Sequence, residues 1–245
     1  MRRRSMGGDR PSPVLVGIAR FAIETFSRTI VRRRVRLHVA GLRHVPRDGS
    51  VLLAARHYHH LYDAAILMAV VPRPVHFLVA FDWAHSPRER FWLELACRLA
   101  RWPGLLRAER VAEAVARGRA AYAPSEVGPY LRTALADSLD LLGEGRALVV
   151  FPEAYPTIDP EGSEKPADGF GPFRSGFVRV ARLAERRLQC TVPIVPVGFW
   201  YLRHGNTWHA AVRFGAPVTV PPGADEEAVA RLVELAVRAL SRPGA

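Results

Sequence analysis

The fold is decided by residues 51 to 63, which read Val51-Leu52-Leu53-Ala54-Ala55-Arg56-His57-Tyr58-His59-His60-Leu61-Tyr62-Asp63. The first five residues are all apolar, which is typical of a short strand that is buried on both faces. The polar residues come where this strand would end and a helix would begin. In sheets of parallel strands, functional side chains gather at that edge. The stretch therefore predicts an α/β fold and a candidate site that begins at His57.

Apolar strands and amphipathic helices alternate along most of the chain. The predicted strands are Arg36–Ala40, Val51–Ala55, Val75–Ala80, Ala147–Phe151 and Val192–Tyr201, the last one broken by Pro193 and Pro196. The predicted helices include Asp63–Val71, Pro87–Ala100, Leu131–Leu142, Phe177–Arg187 and Glu226–Leu240. Because such strands need helices on both faces, this order predicts a single α/β domain with a mixed, mostly parallel sheet flanked by helices.

The N-terminal segment, residues 1–36, differs from the rest of the chain, residues 37–245, in its charge. It has ten arginines against Asp9 and Glu24, a local balance of +8 within a net charge of +12. An amphipathic helix is predicted at Pro13–Val31, and its apolar face either packs on the core or lies in a lipid interface. The apolar residues are Val14, Leu15, Ile18, Phe21, Ala22, Phe26 and Ile30. The basic charge favours a polyanionic partner, and because no nucleic-acid reader motif is present, we expect an anionic membrane surface.

Three histidines and one aspartate follow the first buried strand. A histidine held by a carboxylate is a general base suited to neutral pH. No Gly-x-Ser-x-Gly motif accompanies them, so the simplest chemistry is proton removal from a substrate hydroxyl that attacks a carbonyl directly. Two other interpretations are a metal site, for which no second group of ligands is evident, and purely structural histidines.

Five blocks in order resemble the glycerolipid acyltransferases related to 1-acylglycerol-3-phosphate acyltransferase. The blocks are Val51–Asp63, Gly104–Arg110, Phe151-Pro152-Glu153, Phe173–Phe177 and Val192–Gly198. They resemble, in turn, the family's apolar strand with Asn-His-x4-Asp, its glycine-to-arginine block, the start of Phe-Pro-Glu-Gly-Thr-Arg, Phe-Lys-x-Gly, and Val-Pro-Ile-x-Pro-Val. The resemblance implies that His57 is the base, that Asp63 orients it, and that a further set lines the substrate site. This set is Gly104, Arg107, Arg110, Phe151, Pro152, Glu153 and Arg174.

Two blocks depart from the family pattern. Five residues instead of four separate His57 from Asp63, which leaves His59 and His60 as alternative bases. In the third block, Ala154-Tyr155-Pro156 replaces the family's Gly-Thr-Arg. The resemblance implies that the arginine of that motif holds the acceptor's phosphate. Arg107, Arg110 or Arg174 would have to supply that charge, unless the acceptor has no phosphate. The stretch Thr157–Gly171 is long enough for a lid or specificity loop, and equally for an inert surface loop.

The resemblance implies transfer of a fatty acyl group from acyl-CoA or acyl carrier protein to a hydroxyl of a lysophospholipid or other glycerolipid. The thioester is a co-substrate, and no bound cofactor or metal is expected. Alternatives are a catalytically degenerate lipid-binding protein and a CoA-independent lipid transacylase. With neither a signal peptide nor a transmembrane span evident, we expect a peripheral protein on the cytoplasmic face of a membrane.

Overall fold

The computed structural model describes residues 12–158 and 169–244. The helices are α1 Pro13–Arg34, α2 Tyr62–Val70, α3 Pro87–Ala100, α4 Ala108–Ala116, α5 Val127–Gly143, α6 Gly176–Leu188 and α7 Glu226–Leu240. The strands are β1 Val35–Ala40, β2 Val51–Ala55, β3 Val75–Phe77, β4 Val79–Ala80, β5 Gly104–Leu105, β6 Ala147–Val150, β7 Ile194–His204 and β8 Thr207–Phe214.

The main sheet has the strand order β1-β8-β7-β2-β6-β3. All neighbouring strands in it are parallel except β7 and β8, which form an antiparallel hairpin. A small parallel pair, β4 and β5, lies apart from it. The predicted single α/β domain with a mixed, mostly parallel sheet flanked by helices is confirmed. The division at residue 36 stays a prediction, and residues 1–11 fall outside the described part of the chain.

Strand β2 lies at the centre of the fold and separates two apolar cores. Val51, Leu53 and Ala55 face one core, in which residues of α1 and α2 also pack. Leu52 and Ala54 face the other, which includes residues of α5, α6 and α7. This alternation follows from the twofold periodicity of a strand, and it explains why β2 is apolar at every position. The carboxyl ends of β2 and its parallel neighbour β6 therefore open at the same edge of the sheet.

Two strand predictions need correction. The predicted strand Val75–Ala80 is divided into β3 and β4, because the chain leaves β6 at Leu78 and pairs next with β5. The strand predicted to be broken by Pro193 and Pro196 begins after Pro193, at Ile194, and runs through Pro196 without a break. Antiparallel pairing of β7 with β8 begins only at Val197. Pro196 therefore lies outside that pairing, and its missing N–H does not cost a hydrogen bond to β8.

Helix α1 packs through one face and leaves most of its large apolar side chains exposed. Ser27 and Val31 are buried on the inner face. The outer face exposes Val14, Leu15, Ile18, Phe21 and Phe26, with Phe21 72% exposed. The apolar face of α1, for which packing on the core was one of two predictions, is therefore largely exposed. Within the described ranges, none of the helices combines the length and the apolar character that crossing a bilayer requires.

Candidate functional site

His57, two residues after the end of β2, is paired with the buried aspartate of α2. Nδ1 of His57 lies 3.1 Å from Oδ2 of Asp63, and the imidazole stacks on Phe151 with ring centres 4.3 Å apart. Asp63 is 0% exposed, and it lies in the first turn of α2. A buried carboxylate on Nδ1 fixes the neutral ring as the Nδ1–H tautomer, which leaves the lone pair on Nε2. This is the arrangement of a general base.

The Asp63 carboxylate is held by several donors besides His57. The amides of Tyr58 and His59 donate to Oδ2 over 2.7 and 2.9 Å. The hydroxyl of Tyr201 donates to Oδ1 over 2.6 Å. These bonds compensate the cost of burying a negative charge. The extra residue between His57 and Asp63 lies in the loop that wraps around this carboxylate, so the loop accommodates it without separating the pair.

Tyr201 belongs to the site, and the sequence analysis did not identify it. It lies on β7, which pairs with β2 in parallel register from Leu52↔Ile194 to Ala55↔Val197. Burial first, and the neighbouring Asp63 second, raise the pKa of Tyr201 well above its ordinary value, so its hydroxyl stays protonated and acts as a donor. No local signal marks Tyr201, because its proximity to Asp63 comes entirely from strand pairing.

The other two histidines have different surroundings. His59 is buried, and its Nδ1 accepts from the amides of Leu61 and Tyr62 over 3.2 and 3.5 Å. An Nδ1 that accepts leaves the ring proton on Nε2, so the ring is poorly prepared to act as a base there. Burial, followed by repulsion from His60, lowers the pKa of His59 to about 4. His60 is exposed, and its Nδ1 lies 3.4 Å from the carbonyl of Ile158.

Phe151, Pro152 and Glu153 follow β6 and meet the His57 segment. The carboxylate of Glu153 is 3% exposed and accepts from the amides of His57 and Gly171 over 2.7 and 2.8 Å. It therefore anchors two backbone segments. The carbonyl of Pro152 accepts from the amide of Arg174 over 3.1 Å. The third block thus contacts His57 through the ring of Phe151 and the carboxylate of Glu153.

Three arginines lie around Tyr155, which occupies the second altered position of the third block. Arg107 and Arg110 lie over the Tyr155 ring, 4.3 and 5.1 Å from its centre. Arg107 is bound to the buried Asp82, with contacts of 2.6 and 2.9 Å, and donates to the carbonyl of Ala154. Arg174 pairs with Glu109 at 2.6 Å and is 56% exposed. Arg107 is therefore a fixed element of the structure, whereas Arg174 faces solvent.

Gly104 has a packing role. A Cβ at this position would lie 2.0 Å from Cζ of Phe81, so the ring occupies the space above the glycine. Gly104 pairs with Val79 in the small sheet, directly before the segment that carries Arg107. Gly104 thus lets β5 pack against Phe81, and β5 leads directly into the segment that carries Arg107.

The predicted Thr157–Gly171 loop is tied to the site at both ends. The amides of Thr157 and Ile158 donate to the carbonyls of His57 and Tyr58 over 2.9 and 2.7 Å. The Thr157 hydroxyl donates to the carbonyl of Gly169 over 2.8 Å. Residues 159–168 lie outside the described part of the chain. Among the described side chains, no three His, Cys, Asp or Glu groups are arranged as ligands of a metal ion.

Ala154 stands where the resembling family has glycine, and it adopts a left-handed conformation with φ of 66°. Its amide donates to the carbonyl of Phe151 over 3.0 Å and closes the turn after β6. A side chain in this region costs about 1 kcal/mol or more.

We expect Ala154→Gly to raise the free energy of unfolding by about 1 kcal/mol, because glycine removes this strain. Urea unfolding measures the change. Ala228→Gly, on the exposed side of α7, is the matched control and should lower stability by about the same amount. Equal destabilisation by both substitutions would contradict the strain argument.

Comparisons with known proteins identify a family and a similar fold. The model of the acyltransferase family matches residues 36–200, which include every block quoted above. The crystal structure of the 1-acyl-sn-glycerophosphate (LPA) acyltransferase PlsC from Thermotoga maritima has a similar fold, with a TM-score of 0.56 and 17% sequence identity over 91% of this chain and 79% of that one. No curated protein sequence matches the chain. The resemblance read from the sequence blocks is confirmed, and the chain belongs to the acyltransferase family.

Proposed function

We propose that the protein transfers a fatty acyl group from a thioester, acyl-CoA or acyl carrier protein, to the hydroxyl of a lysophospholipid or other glycerolipid. The observation that carries this proposal is the pairing of His57 with the buried Asp63 near the carboxyl end of β2. Membership of the acyltransferase family supports the reaction class. The donor, the acceptor and the residue roles are the proposed part.

In the proposed reaction, Nε2 of His57 removes the proton of the acceptor hydroxyl as its oxygen attacks the thioester carbonyl. Asp63 stabilises the imidazolium that forms. The tetrahedral intermediate then collapses, the carbon–sulfur bond breaks, and the imidazolium returns its proton to the thiolate. The products are an ester and a free thiol, and His57 is neutral again.

A thiol-release assay tests the proposed reaction. Acyl-CoA and acylated carrier protein are each supplied with lysophosphatidic acid, with a lysophospholipid that has a larger head group, with monoacylglycerol, or with no acceptor. We expect acceptor-dependent thiol release together with an acylated lipid product. Binding of the lipids without thiol release would favour a catalytically degenerate lipid-binding protein. Acyl exchange between lipids in the absence of any thioester would favour a transacylase.

For acceptors with a phosphate, we propose that Arg174 and Arg110 contact the head group. Arg107 is already bound to Asp82 and the Ala154 carbonyl, so it is the least available of the three. Arg174 is exposed, and its partner Glu109 is a surface carboxylate that a phosphate can replace.

We expect Arg174→Gln to raise KM for a phosphate-bearing acceptor about tenfold, because a charge-assisted hydrogen bond is lost. The KM for monoacylglycerol should change less than twofold. Arg187→Gln is the matched control, since Arg187 is also 56% exposed and also bound to a carboxylate, Asp140. An equal KM change for both acceptors would contradict a phosphate contact.

We further propose that the outer face of α1 binds an anionic membrane, with the protein peripheral on the cytoplasmic face. The face exposes large apolar side chains, and Arg32, Arg33 and Arg34 occupy the last turn of the same helix. Apolar insertion and attraction to anionic lipid would act together there.

We expect the double substitution Ile18→Ser with Phe21→Ser to weaken binding to phosphatidylglycerol-containing vesicles about tenfold or more, since each side chain removes apolar area from water on insertion. Added salt should weaken wild-type binding further by screening the arginines. Co-sedimentation measures both effects. The control is Leu232→Ser with Leu235→Ser, two similarly exposed residues of α7. Equal loss of binding in the two double variants would contradict a specific role for α1.

A further inference from the structure

We propose that Tyr201 is a positioning residue for the catalytic pair, holding the Asp63 carboxylate in the orientation that serves His57. This inference rests on the proposed function for its kinetic consequence, but its structural consequence can be measured without any substrate. It concerns a residue 138 positions from Asp63 in the sequence, which acts through Asp63 and makes no proposed contact with the substrate.

The division of donors between the two carboxylate oxygens carries the proposal. Oδ2 accepts from the amides of Tyr58 and His59 and faces Nδ1 of His57. Oδ1 accepts from the Tyr201 hydroxyl over 2.6 Å, and this is the one side-chain hydroxyl among the described residues that donates to Asp63. A carboxylate can rotate about its Cβ–Cγ bond. Tyr201 fixes that rotation from the side opposite His57, so that Oδ2 stays directed at the imidazole.

The tyrosine ring is itself held on several sides. It stacks on Tyr58 with ring centres 4.8 Å apart and an interplanar angle of 20°, and it meets Trp208 of the neighbouring strand edge-on at 5.9 Å. It also packs near Phe199, two residues earlier on β7. Because the ring is fixed by packing, Tyr201→Phe removes the hydroxyl and keeps the ring in place. The substitution therefore isolates the hydrogen bond.

The kinetic test is a double-mutant cycle with Asp63→Asn. We expect Tyr201→Phe to lower kcat about tenfold, the scale of one hydrogen bond to a charged group, with KM changed less than twofold. In the Asp63→Asn background, the same substitution should change kcat less than twofold, because Tyr201 acts through the carboxylate. An equal fold loss of kcat from Tyr201→Phe in the wild-type and the Asp63→Asn backgrounds would overturn the proposal.

The structural test is the imidazole nitrogen spectrum of protein labelled with ¹⁵N-histidine, with the His57 signals assigned by their loss in His57→Gln. We expect the Nδ1–H tautomer of His57 in the wild type and a mixture of tautomers in Tyr201→Phe. The control is Tyr130→Phe, since Tyr130 is also buried and also donates to a carboxylate, Glu94, over 2.5 Å. It should lower stability without changing the His57 signals.

The two tests separate this inference from the proposed function. If the wild type shows no acyl transfer with any acceptor, the proposed function fails, and the His57 tautomer still decides whether Tyr201 orders the pair. If the wild type is active, an unchanged His57 spectrum in Tyr201→Phe, or the same spectral change in Tyr130→Phe, overturns the positioning role. A changed tautomer confined to Tyr201→Phe supports it.

Discussion

Replacing His57 with alanine is expected to lower the rate of acyl transfer about 10²–10⁴-fold, because the proposed reaction would lose its general base. The protein should stay folded, since the His57 side chain is partly exposed and lies at the edge of the core. The measurement is the initial rate of thiol release at saturating acceptor, with circular dichroism to confirm folding. The matched control is His60→Ala, which removes an exposed histidine from the same loop and should change the rate less than threefold.

His59 provides the decisive contrast within the same loop. His59→Ala should lower stability, since its ring is buried against Tyr62 and Trp208 and its Nδ1 accepts from two amides near the start of α2. The His59→Ala molecules that remain folded should each keep most of the wild-type activity. Full activity in His57→Ala, with loss in His59→Ala or His60→Ala at unchanged stability, would refute the assignment of His57.

The second large effect is expected at Gly104. We expect Gly104→Ala to lower the free energy of unfolding by about 2–3 kcal/mol, because the new Cβ would overlap the ring of Phe81 and force it out of the small core beneath β5. Urea unfolding measures the change.

The control for Gly104 is another glycine with open space around it. Gly17 on α1 has no atom within 4 Å of a built Cβ, and Gly17→Ala should raise stability by roughly 0.5–1 kcal/mol through helix propensity. If Gly104→Ala keeps full stability and raises only KM for the acceptor, the packing explanation fails and direct substrate contact is the better account.

The elements that the sequence predicted well carry their own local signals. Helix α3 begins after Ser86, whose hydroxyl accepts from the amide of Glu89, and has Pro87 in its first turn. Helix α7 begins after Asp225, which caps it in the same way. Strand β2 is apolar at every position because it lies between two cores. The pairing of His57 with Asp63 is implied by the family's His-x4-Asp block, which this strand-to-helix turn resembles.

The parts that the sequence did not reveal depend on contacts between distant segments. Tyr201 reaches Asp63 only because β7 pairs with β2, and a sequence pattern does not specify which strands are neighbours. Strands β4 and β5 have two residues each, too few for any periodicity. The pairing of Arg107 with Asp82 was likewise hidden, because the two residues belong to separate connections on either side of α3.

The bonds that join Thr157 to His57 and to Gly169 determine how freely the segment 159–168 can vary in sequence. The described residues on either side of the 159–168 interval are hydrogen-bonded beside the His57–Asp63 pair, so the interval begins and ends at fixed points. A change in the number of residues between those points need not move them, because the entropy of joining two fixed points grows only slowly with the length of the connection. Residues 159–168 can therefore be exchanged for a segment of another length or sequence while the His57–Asp63 pair keeps its geometry.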